Sequence, residues 1–334
     1  MAHIATKRFT YWGQLGILLL LTGVGLIVGG LVSLIPVLGK IDMHKLTEEG
    51  LMESLLKPEN ANAFRLMQFL STLFMFFIPA WIYAKICHKK PFLHLGFVKA
   101  PGIKQLLLVV GIMFFALFIV GALAEIWRQI PFSAAWQQKF KAAEELYNKQ
   151  MQVMARMNGT SDLVISLLIV ALLPAVFEEV IFRGALQNLL SRWLKAPVWA
   201  VVITALIFSA IHGSYDGFLP RAVLGFILGW LFYRTGNIWL NIAAHFFNNA
   251  IGILTLYYYS TPGKPTDLSK IDDKFPIWLG AVGVIGVIAL LYVLDKVSKD
   301  DIDRPGEEVL LAGYINPRDP FIEDVNAIGN QNQV

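Results

Sequence analysis

Apolar residues are gathered into eight runs: Leu15–Leu38, Leu66–Ala84, Leu106–Ala124, Leu163–Leu190, Val198–Ile211, Phe218–Tyr233, Ile238–Tyr259 and Ile277–Leu294. A helix that crosses the hydrocarbon layer needs roughly 20 mostly apolar residues. The pattern therefore predicts an all-α, polytopic transmembrane helical bundle of about eight spans. The fifth and sixth runs are short for full spans, and the link Gly213-Ser214-Tyr215-Asp216-Gly217 between them reads as a tight turn. The fourth is long and holds Pro174 one turn before a pair of acids. A proline inside a helix removes a backbone donor and crowds the turn before it, so a kink or tilt is expected there.

Two stretches break the apolar pattern. Ala134–Met157 is rich in Gln, Lys, Glu and Met and predicts an amphipathic surface helix. The segment 300–334 is polar, contains Pro305, Pro317 and Pro320, and predicts a disordered tail. The resulting organisation is N-terminal transmembrane helices over 1–127, an amphipathic connection over 128–161, a helical core over 162–260, the last transmembrane helix within 261–299, and the tail over 300–334. Neither a soluble catalytic domain nor an internal repeat is legible.

Composition agrees with a membrane protein. Of 334 residues, 56% are hydrophobic and only 16% charged, well below the quarter or so that is usual in soluble domains. The net charge of +4 comes from lysines and arginines lying mostly between apolar runs, so it reads as loop bias and nucleic acid is not an expected partner. Lys85, Lys89, Lys90, Lys99 and Lys104 crowd the second connection, whereas Asp42, Glu48, Glu49, Glu53 and Glu59 mark the first. Cytoplasmic loops carry an excess of Lys and Arg, which predicts a multi-pass protein of the plasma membrane, of bacterial type, with both termini in the cytoplasm. Lys7 and Arg8 precede a first run too long for a signal-peptide core, so that run reads as a retained span. One cysteine, Cys87, leaves no internal disulfide.

Candidate chemistry lies where the apolar pattern is interrupted. Between Leu163 and Leu190 the only charged residues are Glu178, Glu179 and Arg183. A charge at the bilayer centre costs about 2.5–3.5 kcal/mol on insertion scales, so residues this costly point to function. Only His212 and His245, of six histidines, fall in apolar runs. Residues four apart share a helical face, which pairs Glu179 with Arg183, Phe208 with His212 and His245 with Asn249. Glu178 lies about 100° around the helix from Glu179, so one glutamate can pair with Arg183 while the other faces elsewhere.

A buried glutamate beside a neutral histidine can act as a general base on water, and a histidine next to an asparagine can donate to a developing oxyanion. Together these would hydrolyse an amide without a covalent intermediate. A His-Glu-x-x-His zinc motif, a Gly-x-Ser-Gly serine motif and a complete aspartyl pair are all missing from the sequence. Zinc does accept carboxylate and imidazole ligands, so a metal held by Glu178, His212 and His245 stays open beside the metal-free chemistry, which is the expectation.

The three motifs Glu178-Glu179-x-x-x-Arg183, Phe208-x-x-x-His212 and His245-x-x-x-Asn249, in that order on apolar helices, resemble those of the CPBP family. That family comprises CAAX prenyl proteases of the Ras-converting type and the bacterial Abi, or bacteriocin-processing, relatives. The resemblance covers roughly Leu163 to Tyr259 and marks 162–260 as a CPBP-like catalytic core. It implies an intramembrane endopeptidase in which Glu178 activates water with help from His212, His245 and Asn249 form the oxyanion hole, and Glu179 and Arg183 are a supporting pair. It implies no cofactor, although such enzymes have also been classed as metalloendopeptidases. The implied partners are the lipid bilayer and a membrane-associated peptide or lipidated protein substrate.

Three structural readings stand beside these roles. Glu179 and Arg183 can be an ion pair that lowers the cost of burial, His212 can cap a span, and His245 and Asn249 can be interhelical hydrogen-bond glue. At the level of function, the alternatives are a proton-coupled transporter, or a non-catalytic immunity or scaffold protein.

Overall fold

The computed structural model describes residues 9–40, 57–88, 90–154, 157, 159–260 and 275–302. Most of the acidic first connection, and the tail from 303 onward, lie outside the described residues. Within them every regular element is helical. In chain order the longer helices are α1 (Tyr11–Ser33), α2 (Ala61–Cys87), α3 (Ile103–Arg128), α4 (Ala134–Met154), α5 (Thr160–Leu194), α6 (Pro197–Ile211), α7 (Phe218–Thr235), α8 (Ile238–Ser260) and α9 (Trp278–Ile302).

All eight apolar runs fold as helix, but they are not equivalent. Among the described residues, five stretches are long and apolar enough to cross a membrane: Tyr11–Leu38, Ala61–Cys87, Ile103–Arg128, Thr160–Leu194 and Trp278–Ser298. The described helices thus form the expected all-α, polytopic bundle. Helix α6 has 15 residues, a length of about 22 Å against a hydrocarbon core of about 30 Å. Helix α7 carries Arg221 and Arg234, and α8 carries Asn241, His245, Asn248 and Asn249. The outer helices show the reverse pattern. Leu19, Leu20, Ile27 and Leu31 of α1 and Ile285, Ile288 and Tyr292 of α9 are exposed, an apolar surface suited to lipid rather than water. The protein is an integral membrane protein.

Both long helices that contain a proline widen before it. In α2 the segment Leu73–Phe77 has π-helical hydrogen bonding just before Pro79, and in α5 Leu167–Leu172 does so just before Pro174. Proline lacks an N–H, and its ring crowds the carbonyl four residues back. A turn with one extra residue relieves both problems. The irregularity expected at Pro174 thus takes the form of a widened turn. A second π segment in α5, Val180–Gln187, begins directly after the two glutamates.

Two apolar cores hold the bundle. Leu18, Phe76, Tyr83, Phe177, Ile181 and Phe208 join α1, α2, α5 and α6. Ile112, Leu224, Leu228, Leu240, Val287 and Leu294 join α3, α7, α8 and α9. Helix α5 meets α7 and α8 where the two cores adjoin, and close approach there depends on glycine. A Cβ on Gly229 would lie 2.8 Å from Gln187 Oε1 and 2.9 Å from Val201 Cγ1, and one on Gly225 would lie 3.2 Å from Phe208 Cδ1. In lipid, packing of this kind is a principal source of helix association. Helix α4 lies against the 213–217 turn, with Phe140 stacked on Tyr215 at 3.7 Å and Ser214 Oγ donating to Glu144 at 3.1 Å.

Candidate active site

The polar side chains of α5 are divided between two faces. Glu179, Arg183 and Gln187 run along one face toward α7 and α8, while Glu178 is turned toward α6. Glu179 and Arg183 are completely buried, and Arg183 Nη1 donates to Glu179 Oε1 at 2.8 Å. The other end of the guanidinium donates to the Gly225 carbonyl at 3.1 Å, and Gln187 Nε2 donates to the Gly229 carbonyl at 2.8 Å. Two polar side chains four apart on α5 therefore bond two glycine carbonyls four apart on α7. The absent side chains on α7 leave those carbonyls within reach. Phe208 of α6 covers the guanidinium face, with 4.7 Å from Cζ to the ring centroid.

Glu179 also receives two donors from α8. His245 Nδ1 lies 2.8 Å from Oε1, and Asn241 Nδ2 donates to Oε2 at 3.1 Å and to the Leu228 carbonyl at 2.7 Å. The carboxylate is thus shared among a guanidinium, an imidazole and an amide from two other positions of the bundle. Charge-assisted hydrogen bonds of this kind are among the strong ones in proteins. Charge is therefore well compensated on this face of α5.

Glu178 has a different environment. It is buried, and its Oε2 makes no direct hydrogen bond among the described residues. Two imidazole nitrogens face that oxygen: His212 Nε2 at 3.9 Å and His245 Nε2 at 3.8 Å. Each imidazole is held by its other nitrogen. His212 follows the last turn of α6, and its Nδ1 lies 2.8 Å from the Phe208 carbonyl, satisfying one of the acceptors that a helix end leaves free. His245 is held at Nδ1 by Glu179. A carbonyl and a carboxylate can only accept, so Nδ1 carries the proton in both rings. Both Nε2 atoms then face the carboxylate oxygen. The gaps are too long for direct hydrogen bonds and are of the size that one bridging oxygen spans. Access is from the His212 side, where 28% of that side chain is exposed against 5% for His245.

The structure therefore brings Glu178, His212 and His245 together across α5, α6 and α8, and joins Glu179 and Arg183 to them through His245. Asn249 stands one turn beyond His245, where Nδ2 donates to the Ala171 carbonyl in the first π segment of α5 at 3.3 Å, not to any of the other three. Among the described residues no group of three His, Cys, Asp or Glu side chains is arranged to hold a metal ion. A cleft of about 400 Å³ lies beside the turn that follows His212, lined by Trp127, Phe132, Phe140, Glu144, Tyr215 and Asp216 among others. Sequence reasoning missed Asn241 and Gln187. Each continues a spacing of four already in use, as Asn241-x-x-x-His245 and Arg183-x-x-x-Gln187.

Comparison with known proteins converges on this part of the chain. Residues 160–251 match the model of the family described as type II CAAX prenyl endopeptidase, Rce1-like. That segment runs from the start of α5 into α8 and contains all three motifs. An uncharacterized protein of Bacillus subtilis (strain 168), YpbD, is 32% identical over 89 residues, which cover 25% of this chain and 42% of that protein. An uncharacterized 24.3 kDa protein of Escherichia coli is 31% identical over 97 residues, 28% of this chain and 45% of that one. The chain spans less than half the length of either relative. No solved structure matches.

Proposed function

We propose that the protein, whose residues 160–251 match the Rce1-like model of type II CAAX prenyl endopeptidases, is an intramembrane endopeptidase that hydrolyses a peptide bond with water activated by Glu178. The single observation that carries this reading is the convergence of His212 Nε2 and His245 Nε2 on the buried Oε2 of Glu178, at 3.9 and 3.8 Å. The Glu178 carboxylate and His212 Nε2, 3.9 Å apart, suit a water molecule that gives one hydrogen to the carboxylate and the other to His212. Its own lone pair then points away from both, toward a substrate carbonyl.

In the proposed step the water oxygen bonds to the carbonyl carbon as its proton passes to Glu178. The carbonyl π pair moves onto oxygen, where His245 and Asn249 stabilise the negative charge. Collapse of the tetrahedral species breaks the C–N bond, and Glu178 returns its proton to the leaving amine. No acyl-enzyme forms and no metal takes part. The Glu179–Arg183 pair supports the site without touching the substrate. The substrate class is a membrane-associated peptide or a lipidated protein, because the carboxylate lies within an apolar bundle that only a membrane-embedded chain meets readily.

The test is cleavage of fluorogenic peptides, one prenylated and one derived from a signal peptide, by detergent-purified protein. Wild type should cleave one of them, and Glu178→Ala and His245→Ala should both abolish cleavage. Proton-coupled uptake in liposomes without any cleavage would point to a relay instead, and a cellular phenotype that survives both substitutions would point to a scaffold. Activity lost to a chelator and restored by zinc would replace the metal-free step with a metal-assisted one.

A further inference from the structure

We infer that Asn241 is a positioning residue of this site: by holding Oε2 of Glu179 it aims Oε1 at Nδ1 of His245, so that His245 acts on the oxyanion as an imidazolium donating from Nε2. This inference rests on the hydrolytic reading above and adds to it both a residue and a charge state.

A primary amide nitrogen carries two hydrogens in one plane, and both hydrogens of Asn241 are used. One goes to Glu179 Oε2 on α5 at 3.1 Å and the other to the Leu228 carbonyl on α7 at 2.7 Å. The bond to α7 fixes the amide, and the amide in turn fixes the rotation of the carboxylate. Oε1 is then left to receive Arg183 and His245, each at 2.8 Å. Interhelical adhesion alone would need only the bond to Leu228. The bond to Glu179 does something more, because it decides which carboxylate oxygen meets the histidine.

The charge state follows from these contacts together with the oxyanion role proposed for His245. Glu179 accepts from three donors, so His245 must contribute the proton on Nδ1. A neutral imidazole has a single N–H, so Nε2, the atom facing Glu178 at 3.8 Å, can donate only when the ring is doubly protonated. The ring lies between two glutamates, with Arg183 bonded to Glu179, His212 on the far side of Glu178 and Phe208 packed edge-on at 5.8 Å. Two carboxylates on opposite ring nitrogens are the surroundings an imidazolium requires. The proton count is unchanged, since His245 enters and leaves the reaction charged while Glu178 alone carries the proton taken from water.

The experiment uses Asn241→Asp, which keeps the shape but replaces the donor by an acceptor, and Asn241→Leu, which removes hydrogen bonding without adding charge. Outer-shell partners of a functional histidine are commonly worth 10- to 100-fold in activity. Both variants should lose about that much in kcat while KM stays within about twofold. Histidine-selective ¹⁵N NMR supplies a readout that needs no turnover. The wild type should show a strongly hydrogen-bonded Nδ1–H on His245, assigned by its loss in His245→Gln, and Glu179→Gln and whichever Asn241 variant is folded should both weaken it. A wild-type kcat in a folded Asn241→Asp protein, or an unaltered Nδ1–H signal, overturns the inference. Should the wild type cleave neither peptide, the hydrolytic reading falls, while the NMR comparison still decides whether Asn241 orients Glu179 and His245.

Discussion

Two buried arginines on α5, nine residues apart, are handled in opposite ways. Arg183 meets a carboxylate at 2.8 Å that is itself bonded to His245 and Asn241. Arg192, nearer the end of the helix, has only neutral partners among the described residues. Its Nη2 donates to Gln14 Oε1 at 3.1 Å and its Nε to Asn188 Oδ1 at 3.1 Å, while Tyr83 Oη lies 3.2 Å from the same Gln14 oxygen. The Arg192 cluster ties α1 and α2 to α5 through hydrogen bonds that saturate one another. The Arg183 cluster also ties helices together, but its carboxylate leads through His245 to an oxygen of Glu178 without a direct hydrogen bond. One network ends in itself, and the other ends at an atom able to accept a proton.

The largest expected effect separates the two networks by chemistry. Glu178→Gln should lower kcat by about 10²- to 10⁴-fold, the usual contribution of a general base, and unfolding in a denaturing-detergent titration should move far less than for a broken ion pair. Next is Arg183→Leu, which leaves Glu179 buried without its guanidinium partner. That change should cost about 3–5 kcal/mol of stability in the same titration and abolish cleavage. Arg192→Leu is the matched control. It loses hydrogen bonds from the guanidinium to uncharged acceptors, each worth about 1.5–3 kcal/mol, and kcat should be preserved in the folded fraction. A comparable loss of kcat in Arg192→Leu would erase the distinction drawn between the two clusters.

Smaller changes sharpen the same contrast. Gly229→Ala places a methyl against Gln187 and Val201, a strain of about 1–3 kcal/mol that pushes α7 from α5, so a modest loss of activity should accompany the loss of stability. The smallest effect should come from Arg234→Ala. Its ion pair with Asp295 is close, at 2.6 Å, but half-open to solvent, and pairs of that kind contribute about 0–1 kcal/mol. Cleavage rates and unfolding midpoints should both stay near wild type.

Much of the site could be anticipated from spacing. The i,i+4 pairing of Glu179 with Arg183 and the opposite facing of Glu178 both hold in three dimensions, and His212 and His245 do converge on Glu178. Asn249 stands one turn beyond His245 with its amide on the Ala171 carbonyl, a backbone partner that sequence does not display. Asn241 and Gln187 were overlooked for a related reason. Neutral amides on apolar helices are common and carry no charge penalty to draw attention, and their partners are backbone carbonyls that sequence does not display. Hydropathy likewise registers α6, α7 and α8 as apolar runs but does not show which of their polar groups face inward.

Helix, membrane and the sidedness of each helix were settled by local physics: a 3.6-residue period and the cost of charge in hydrocarbon act on neighbours along the chain. Which glutamate is neutralised, and which is left facing two imidazoles, was settled by α7 and α8 reaching α5 across 42 to 66 positions of sequence. Hydrogen bonds reward separations near 3 Å and vanish within another ångström. Only packed helices can set distances that finely, so the division of labour between two adjacent, chemically identical residues belongs to the tertiary structure.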